Sequence, residues 1–316
     1  NYTLYEFLQI VNQNALYAIY QPKLPNDVGL FKIWENAMRK TGNVELRLGV
    51  GIDKIVSSDR VDAVVTTNGE QIIATNFIFA IPPKFMMPII ANSTNKNMFG
   101  EYDELSKWAI NTEYLVYIPI TFHWNAKLKL DKLWGLTDTD YSLVDIVMSD
   151  YMTFNDENSQ TVISCAVKNA ERKSSHNGKT ANECNERELI DEVFRQLRSV
   201  RPGLPSPTTS LLSPEMFKNE KTNKWDSTDS AFFYTKDGYR PNTSAYANLF
   251  WVGTHNGNSG YAFTSMQSAM DNAVALLHRL EPNSKDRVHI HQPKTVRLVV
   301  LILVFVVLFV IIWSNK

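Results

Sequence analysis

Between residues 44 and 85 the apolar positions fall in short β-branched runs broken by turn-forming residues, the pattern of a small stack of strands. Three runs rich in Val, Ile and Thr are separated by Ser57-Ser58-Asp59 and by Asn68-Gly69, and the second of these is a hairpin signal. A fourth apolar run, 77–81, stops at Pro82-Pro83. Elsewhere the period lengthens to that of a helix. Leu4, Phe7, Leu8 and Val11 recur at helical spacing, and after a break at Pro22 and Pro25 so do Leu30, Ile33, Trp34, Ala37 and Met38. The second group predicts a helix over 29–40 that ends at Thr41-Gly42. Further on, 113–124 and 161–167 read as strands, and 185–200 reads as a helix closed by Arg201-Pro202-Gly203-Leu204-Pro205. The polar stretch 169–185 predicts an exposed loop.

The run Leu249-Phe250-Trp251-Val252-Gly253 reads as a buried strand. It is followed by a turn carrying Gly257 and Gly260, then by an amphipathic helix opening at Thr264-Ser265-Met266-Gln267-Ser268-Ala269. The unsatisfied N–H groups at such a helix start can bind an anion or a ring edge. The three glycines taken alone equally describe a flexible loop.

Residues 298–313 are apolar on every face, with Lys294 and Arg297 before them and Ser314-Asn315-Lys316 after. At about 1.5 Å per residue this helix covers about 24 Å, short of a hydrocarbon core of about 30 Å. Snorkelling of Arg297 and Lys316, with Trp313 at the interface, offsets the difference. The expectation is a C-terminal transmembrane helix embedded in a lipid bilayer, reached through a hydrophilic linker. A span at the very end of a chain inserts after synthesis, so the rest should face the cytosol, in line with the basic flank Arg287, Lys294 and Arg297. The span does not choose between the mitochondrial outer membrane and the endoplasmic reticulum.

Composition narrows the function classes. A formal net charge of −1 excludes a nucleic-acid partner, which needs a concentrated excess of Lys and Arg. A 44% hydrophobic content is ample for a core in 316 residues. Cys165 and Cys184 are the only cysteines. They make neither a metal site nor a disulfide framework, and they fit buried or free thiols in a reducing compartment.

Two segments, taken together, resemble the flavin-containing amine oxidase family. The first carries the apolar-x-x-Ile step Ile52-Asp53-Lys54-Ile55, a hairpin, and a strand ending in Ala80-Ile81-Pro82-Pro83. The second carries Gly253-Thr254-His255, Ser259-Gly260-Tyr261 and Met266-Gln267-Ser268-Ala269. Between them Asn223-Lys224-Trp225 and Ser230-Ala231-Phe232-Phe233-Tyr234-Thr235 are similar to the family's Trp and Tyr pair ahead of the last strand. Where the family has a cysteine that bonds covalently to flavin, this chain has Phe232 and Phe233, so the resemblance implies noncovalent FAD. His255 stands in place of the family's acidic residue, either as a cofactor contact or as an exposed loop histidine. The family's flavin-facing lysine has no counterpart in 113–124, where the nearest position is Tyr117.

The resemblance implies an α/β chain with an α+β insert. Residues 24–90 and 225–281 would be two segments of a partial FAD-binding domain. Residues 91–224 would be an inserted mixed-sheet substrate domain, 1–23 its helical part, 282–297 the linker and 298–313 the anchor. Tyr234 and Tyr261 would be the catalytic pair sandwiching a small amine, an arrangement that suits a cationic substrate. Ile52, Trp225, Gly253, Thr254 and Met266 would contact FAD, and no metal is implied. The chain starts at Asn1 and contains no strand–GxGxxG–helix unit for the ADP half of the cofactor. We therefore expect a C-terminal portion whose N-terminal dinucleotide-binding region lies upstream or on another chain, and which by itself binds FAD weakly or not at all. Two other functions stay open, a desaturase-type FAD enzyme and a catalytically silent, membrane-anchored interaction protein.

Overall fold

The computed structural model describes residues 22–115, 117–130, 135–136, 138–228, 231–235, 237–259, 265–290 and 295–314, with the backbone alone at 113, 115, 135–136, 231–235 and 295–301. Leu4, Phe7, Leu8 and Val11, which recur at helical spacing, lie outside them. The described residues fall into two compact units, unit 1 from those of 47–115 and 231–314, unit 2 from those of 22–46 and 117–228. These divisions differ from the boundaries at 90/91 and 224/225 expected from the resemblance. The 29–40 helix goes with unit 2, and the helices following Pro82 go with unit 1.

Along the chain, a π-helical turn at Asp27–Phe31 leads into α1 (Lys32–Lys40), which buries no residue. The expected hairpin follows. β1 (Ile52–Ser57), β2 (Val61–Thr66) and β3 (Gln71–Ile72) form an antiparallel sheet in that order. Residues 43–51 ahead of it are not strand, and Gly49 takes the left-handed conformation of a turn at φ +74°. β4 (Phe77–Phe79) is shorter than the run that predicts it. Helix α2 (Pro83–Asn92) starts on the prolines read as a stop, because a first-turn proline gives up an N–H that has no intrahelical partner anyway. α3 (Tyr102–Ile110) and β5 (Thr112–Leu115) complete this part of unit 1.

Unit 2 continues with β6 (Ile118–Trp124), β7 (Gly135–Leu136), β8 (Val144–Val147) and β9 (Thr161–Val167). The single strand expected over 113–124 is thus two, and they fall in different units. After α4 (Glu186–Val200) come β10 (Thr209–Leu212), β11 (Met216–Asn219) and β12 (Lys224–Ser227). The sheet runs β10-β6-β9-β8-β7, antiparallel throughout. Alternation along β6 buries Ile118, Ile120, Phe122 and Trp124, which share a core with Leu189, Val193 and Leu197 on one face of α4. Asn185 and Glu188 close a capping box at the start of that helix. Residues 169–179 are mostly the exposed loop expected, whereas the end of the stretch turns inward. Ser174, Thr180, Ala181, Asn182 and Cys184 are buried, and a second capping box between Thr180 and Glu183 orders a 3-10 turn there.

The chain then returns to unit 1. β13 (Ala231–Thr235) pairs antiparallel with β5, and β14 (Leu249–Trp251) pairs parallel with β4. α5 (Met266–Leu280) follows, then α6 (Thr295–Ser314). The side chains of α6 are described from Ile302 onward, and they are exposed over 302–313, from 46% at Ile302 to 73% at Trp313. Among the described residues no helix is long and apolar enough to cross a membrane. The span expected over 298–313 finds no support in the fold itself.

Candidate functional site

The two segments that carry the resemblance meet in unit 1. The register Leu249↔Phe77, Phe250↔Ile78 and Trp251↔Phe79 sets β14 beside β4 in parallel, so their carboxyl ends lie side by side. Val252 N donates to Phe79 O at 2.8 Å, and Trp251 Nε1 donates to Ile81 O at 2.8 Å. The Ala80-Ile81-Pro82 segment is thereby held against the Gly253 turn. In open α/β sheets, ligands bind at the carboxyl ends of parallel strands. The hairpin is tied in through Asn248, which sequence reading missed. Its Oδ1 accepts from Val61 N at 3.1 Å, its Nδ2 donates to Val61 O at 2.9 Å, and its carbonyl accepts from Phe77 N at 2.8 Å.

The described part of the turn after β14, 253–259, is held by side-chain hydrogen bonds. Asn256 Oδ1 accepts from Gly253 N at 2.9 Å, and Asn256 Nδ2 donates to Trp251 O at 3.2 Å and to Arg240 O at 3.1 Å. A side chain on Gly253 would place its Cβ 2.8 Å from His255 Nδ1, so glycine is required by close approach. Gly257, at φ +70°, sits in the left-handed region, and a Cβ there would run into the Tyr239 ring. Beyond it the turn is fastened to α5. Asn258 N donates to Asn272 Oδ1 at 3.0 Å, and Ser259 Oγ donates to Asp271 Oδ2 at 2.6 Å while Gln267 Nε2 donates to Asp271 Oδ1 at 2.7 Å. Ser265 caps the helix by accepting from Ser268 N at 3.1 Å.

His255 corrects the expectation of an exposed loop histidine. It is 1% exposed, its ring lies 4.5 Å from Trp251 and 6.3 Å from Trp108, and burial pushes its pKa down to about 3. It is a neutral part of the wall behind Gly253. Lys84 N at the start of α2 donates to the Tyr114 hydroxyl at 2.6 Å. Burial pushes that phenol up to about 12.

The remaining residues expected from the resemblance are distributed unevenly. Ile52 opens β1 opposite Thr66 and packs partly buried on the unit 1 core. Thr254 begins the turn, and Met266, 47% exposed, begins α5. Tyr234 lies on β13 opposite Glu113, with only its backbone described, and Tyr261 lies outside the described residues. Trp225 belongs to the unit 2 core, where its Nε1 donates to Ala181 O at 3.0 Å and Lys218 Nζ sits 4.9 Å from the ring centroid. Its bonds and packing are those of a core aromatic. No group of metal-ligating side chains forms among the described residues.

No family model and no curated protein matches the chain. Among solved structures it shares its fold with putrescine oxidase. The wild-type enzyme bound to putrescine matches with a TM-score of 0.55 at 12% identity, over 82% of this chain and 53% of that one. A double mutant of the same enzyme gives 0.53 at 12% identity over the same shares. The chain therefore spans about half the length of the solved structures it matches, and what it has in common with them is the fold.

Proposed function

We propose that this chain is the C-terminal portion of an FAD-dependent oxidoreductase of the amine oxidase type, acting on an amine or a related small molecule. The parallel pairing of β4 with β14 is the observation that supports this best, because it joins Ala80-Ile81-Pro82 to the Gly253 turn at the end of the sheet where ligands bind. The described residues fit one half of the cofactor. Gly253 leaves no room for a side chain of its own, and Met266 is accessible at the start of α5. Thr254, next to Gly253, would meet the pyrophosphate or ribityl chain, Met266 would lie under the pyrimidine ring, and the Ile52 backbone would hydrogen-bond the adenine end. The ADP half would be held by residues that this chain lacks. FAD, when bound, accepts the hydride; this chain's part is to orient the substrate and exclude water, with Tyr234 and Tyr261 as the aromatic pair facing the amine. Nothing in the chain bonds covalently to flavin in this reading.

The helix α6 would hold the protein in a membrane, with the remainder facing the cytosol at the mitochondrial outer membrane or the endoplasmic reticulum. The apolar run over 298–313 and the basic residues Lys294 and Arg297 ahead of it support that reading. Deleting 298–313 should move the protein from the membrane pellet to the soluble fraction, and an unchanged distribution would remove the anchor from the proposal.

The test of the enzyme is flavin content. Expressed with its upstream coding region, the protein should absorb at about 450 nm and gain thermal stability from added FAD, whereas residues 1–316 alone should bind it weakly or not at all. A colourless longer protein that FAD does not stabilise would leave the silent interaction protein as the answer. With flavin in place, Tyr261→Ala should cut amine turnover without releasing it. Unchanged turnover would take Tyr261 out of the site, and flavin reduction by a non-amine substrate would favour the desaturase type.

A further inference from the structure

Beyond α5 the chain does not run straight into the apolar tail. A 3-10 turn at Pro282–Asp286 folds it back on the helix. Arg287 N and Val288 N donate to Ser284 O at 3.0 and 2.9 Å, and His278 Nε2 donates to Val288 O at 2.7 Å. Residues 282–288, expected as part of a linker, are thus bonded into the end of α5. Ser284 is buried there, whereas Arg279, Lys285 and Arg287 are exposed. Val288, 39% exposed, adds an apolar side chain beside them.

The charge of this end is one-sided. Between 278 and 297 five cations, Arg279, Lys285, Arg287, Lys294 and Arg297, stand against Glu281 and Asp286, in a chain whose net charge is −1. Six residues, 289–294, lead from the folded turn to Thr295 at the start of α6. Fully extended they reach about 20–25 Å, too short to pass round a compact unit with a radius of gyration of about 15 Å. With α6 in a bilayer, the end of α5 therefore stands beside the headgroups.

We propose that the end of α5 is a docking surface for anionic phospholipid headgroups, met by Arg279, Lys285 and Arg287, with Lys294 and Arg297 completing it at the start of the span. This rests on the reading of α6 as a membrane anchor with the remainder facing the cytosol, the side on which a leaflet is rich in anionic lipid. The occupant is a lipid rather than an acidic protein because the same basic segment continues into the apolar run 298–313, so the headgroup layer is the first surface it meets. Val288 among the cations suits that layer as well, since interfacial binding combines apolar burial with charge attraction. The contact would fix which end of unit 1 faces the bilayer.

Hydrogen exchange of the full chain in vesicles tests this. The amides of Arg287 and Val288 should exchange at least about threefold more slowly in phosphatidylcholine vesicles containing about one third phosphatidylserine than in phosphatidylcholine alone. The difference should vanish in 1 M salt, where the screening length is about 3 Å, and in the triple variant Arg279→Gln, Lys285→Gln, Arg287→Gln. That variant leaves the backbone bonds of the turn in place and should keep the circular dichroism of the parent. Washing with alkaline carbonate reads the anchor separately. Protein that resists extraction but exchanges equally in the two vesicles overturns the docking surface and keeps the anchor. Protein that is extracted, yet sediments with the phosphatidylserine vesicles and not with phosphatidylcholine alone, keeps the docking surface and removes the anchor. Equal protection in neutral detergent by inorganic phosphate or by polyglutamate would overturn the lipid assignment, the first in favour of an ion site and the second in favour of an acidic protein.

Discussion

The five-stranded sheet of unit 2 and the β4/β14 pair of unit 1 are both stacked on apolar cores, yet they are finished in different ways. The first is closed by its own chain. α4 lays Leu189, Val193 and Leu197 across it, and a buried ion pair, Arg201 Nη2 to Asp145 Oδ2 at 2.7 Å, satisfies the polar groups beneath. The second pair is covered by α2 and α3 on one face and by α5 on part of the other, no further strand pairs with β4 among the described residues, and the turns at its ends are held by buried amides and one carboxylate. Closure by apolar packing suits a scaffold. Fixation of the strand ends by polar side chains suits loops that carry a site.

This contrast can be broken or sharpened by substitution. Arg201→Ala leaves Asp145 buried without its cation and should destabilise unit 2 by about 3–5 kcal/mol in thermal or urea unfolding, whereas the pair Arg201→Met with Asp145→Leu should cost far less. A single variant no worse than the double one would mean that the pair is not buried in solution. In unit 1, Asn248→Ala strips partners from both Val61 polar groups and should cost about 2–4 kcal/mol, with faster hydrogen exchange in the hairpin. A neutral effect would disconnect β14 from the hairpin.

The acid response separates the units as well. His255, held near 3 by burial, is neutral when folded, but its unfolded form takes up a proton below about pH 6.5. Its contribution is therefore complete above about pH 6.5 and is lost as pH falls toward about 3, by about 1.4 kcal/mol per pH unit. Between pH 7 and pH 5 the urea midpoint of unit 1 should drop by the equivalent of about 2 kcal/mol, and His255→Phe should flatten that slope. A slope unchanged by the substitution would place the imidazole in water. The smallest effect belongs to Asp271→Asn, which weakens two charge-assisted bonds for about 1 kcal/mol and should loosen the turn at Ser259 more than it lowers the melting temperature.

The regular parts of both regions were legible because alternation and capping are local. The hairpin followed from β-branched runs and Asn68-Gly69, and α4 from its apolar spacing after Asn185. What escaped was set at long range or by single polar atoms. Pro82-Pro83 ends the apolar run as read but also opens a helix, which the run of letters alone does not announce. Residues 169–185 have no apolar period, yet side-chain bonds to the backbone bury several of them. His255 sits among glycines that suggest mobility, and its burial depends on Trp108 and Trp251, which are remote or differently patterned in sequence. Of the candidate site, the meeting of its two segments was readable from motif order. The environment of Trp225 was not, because a tryptophan beside a strand looks alike in a core and at a cofactor.

The bonds from Asn248 to Val61 span 187 positions, and all of unit 2 after Val116 is threaded between them. During synthesis at about 5–20 residues per second, the hairpin waits roughly 10–40 s for the strand that completes it. Unit 2 has time to fold first, and the apolar side of β4 must be shielded until residue 251 has left the ribosome. Assembly of the β4/β14 layer is thus a late event in making this chain.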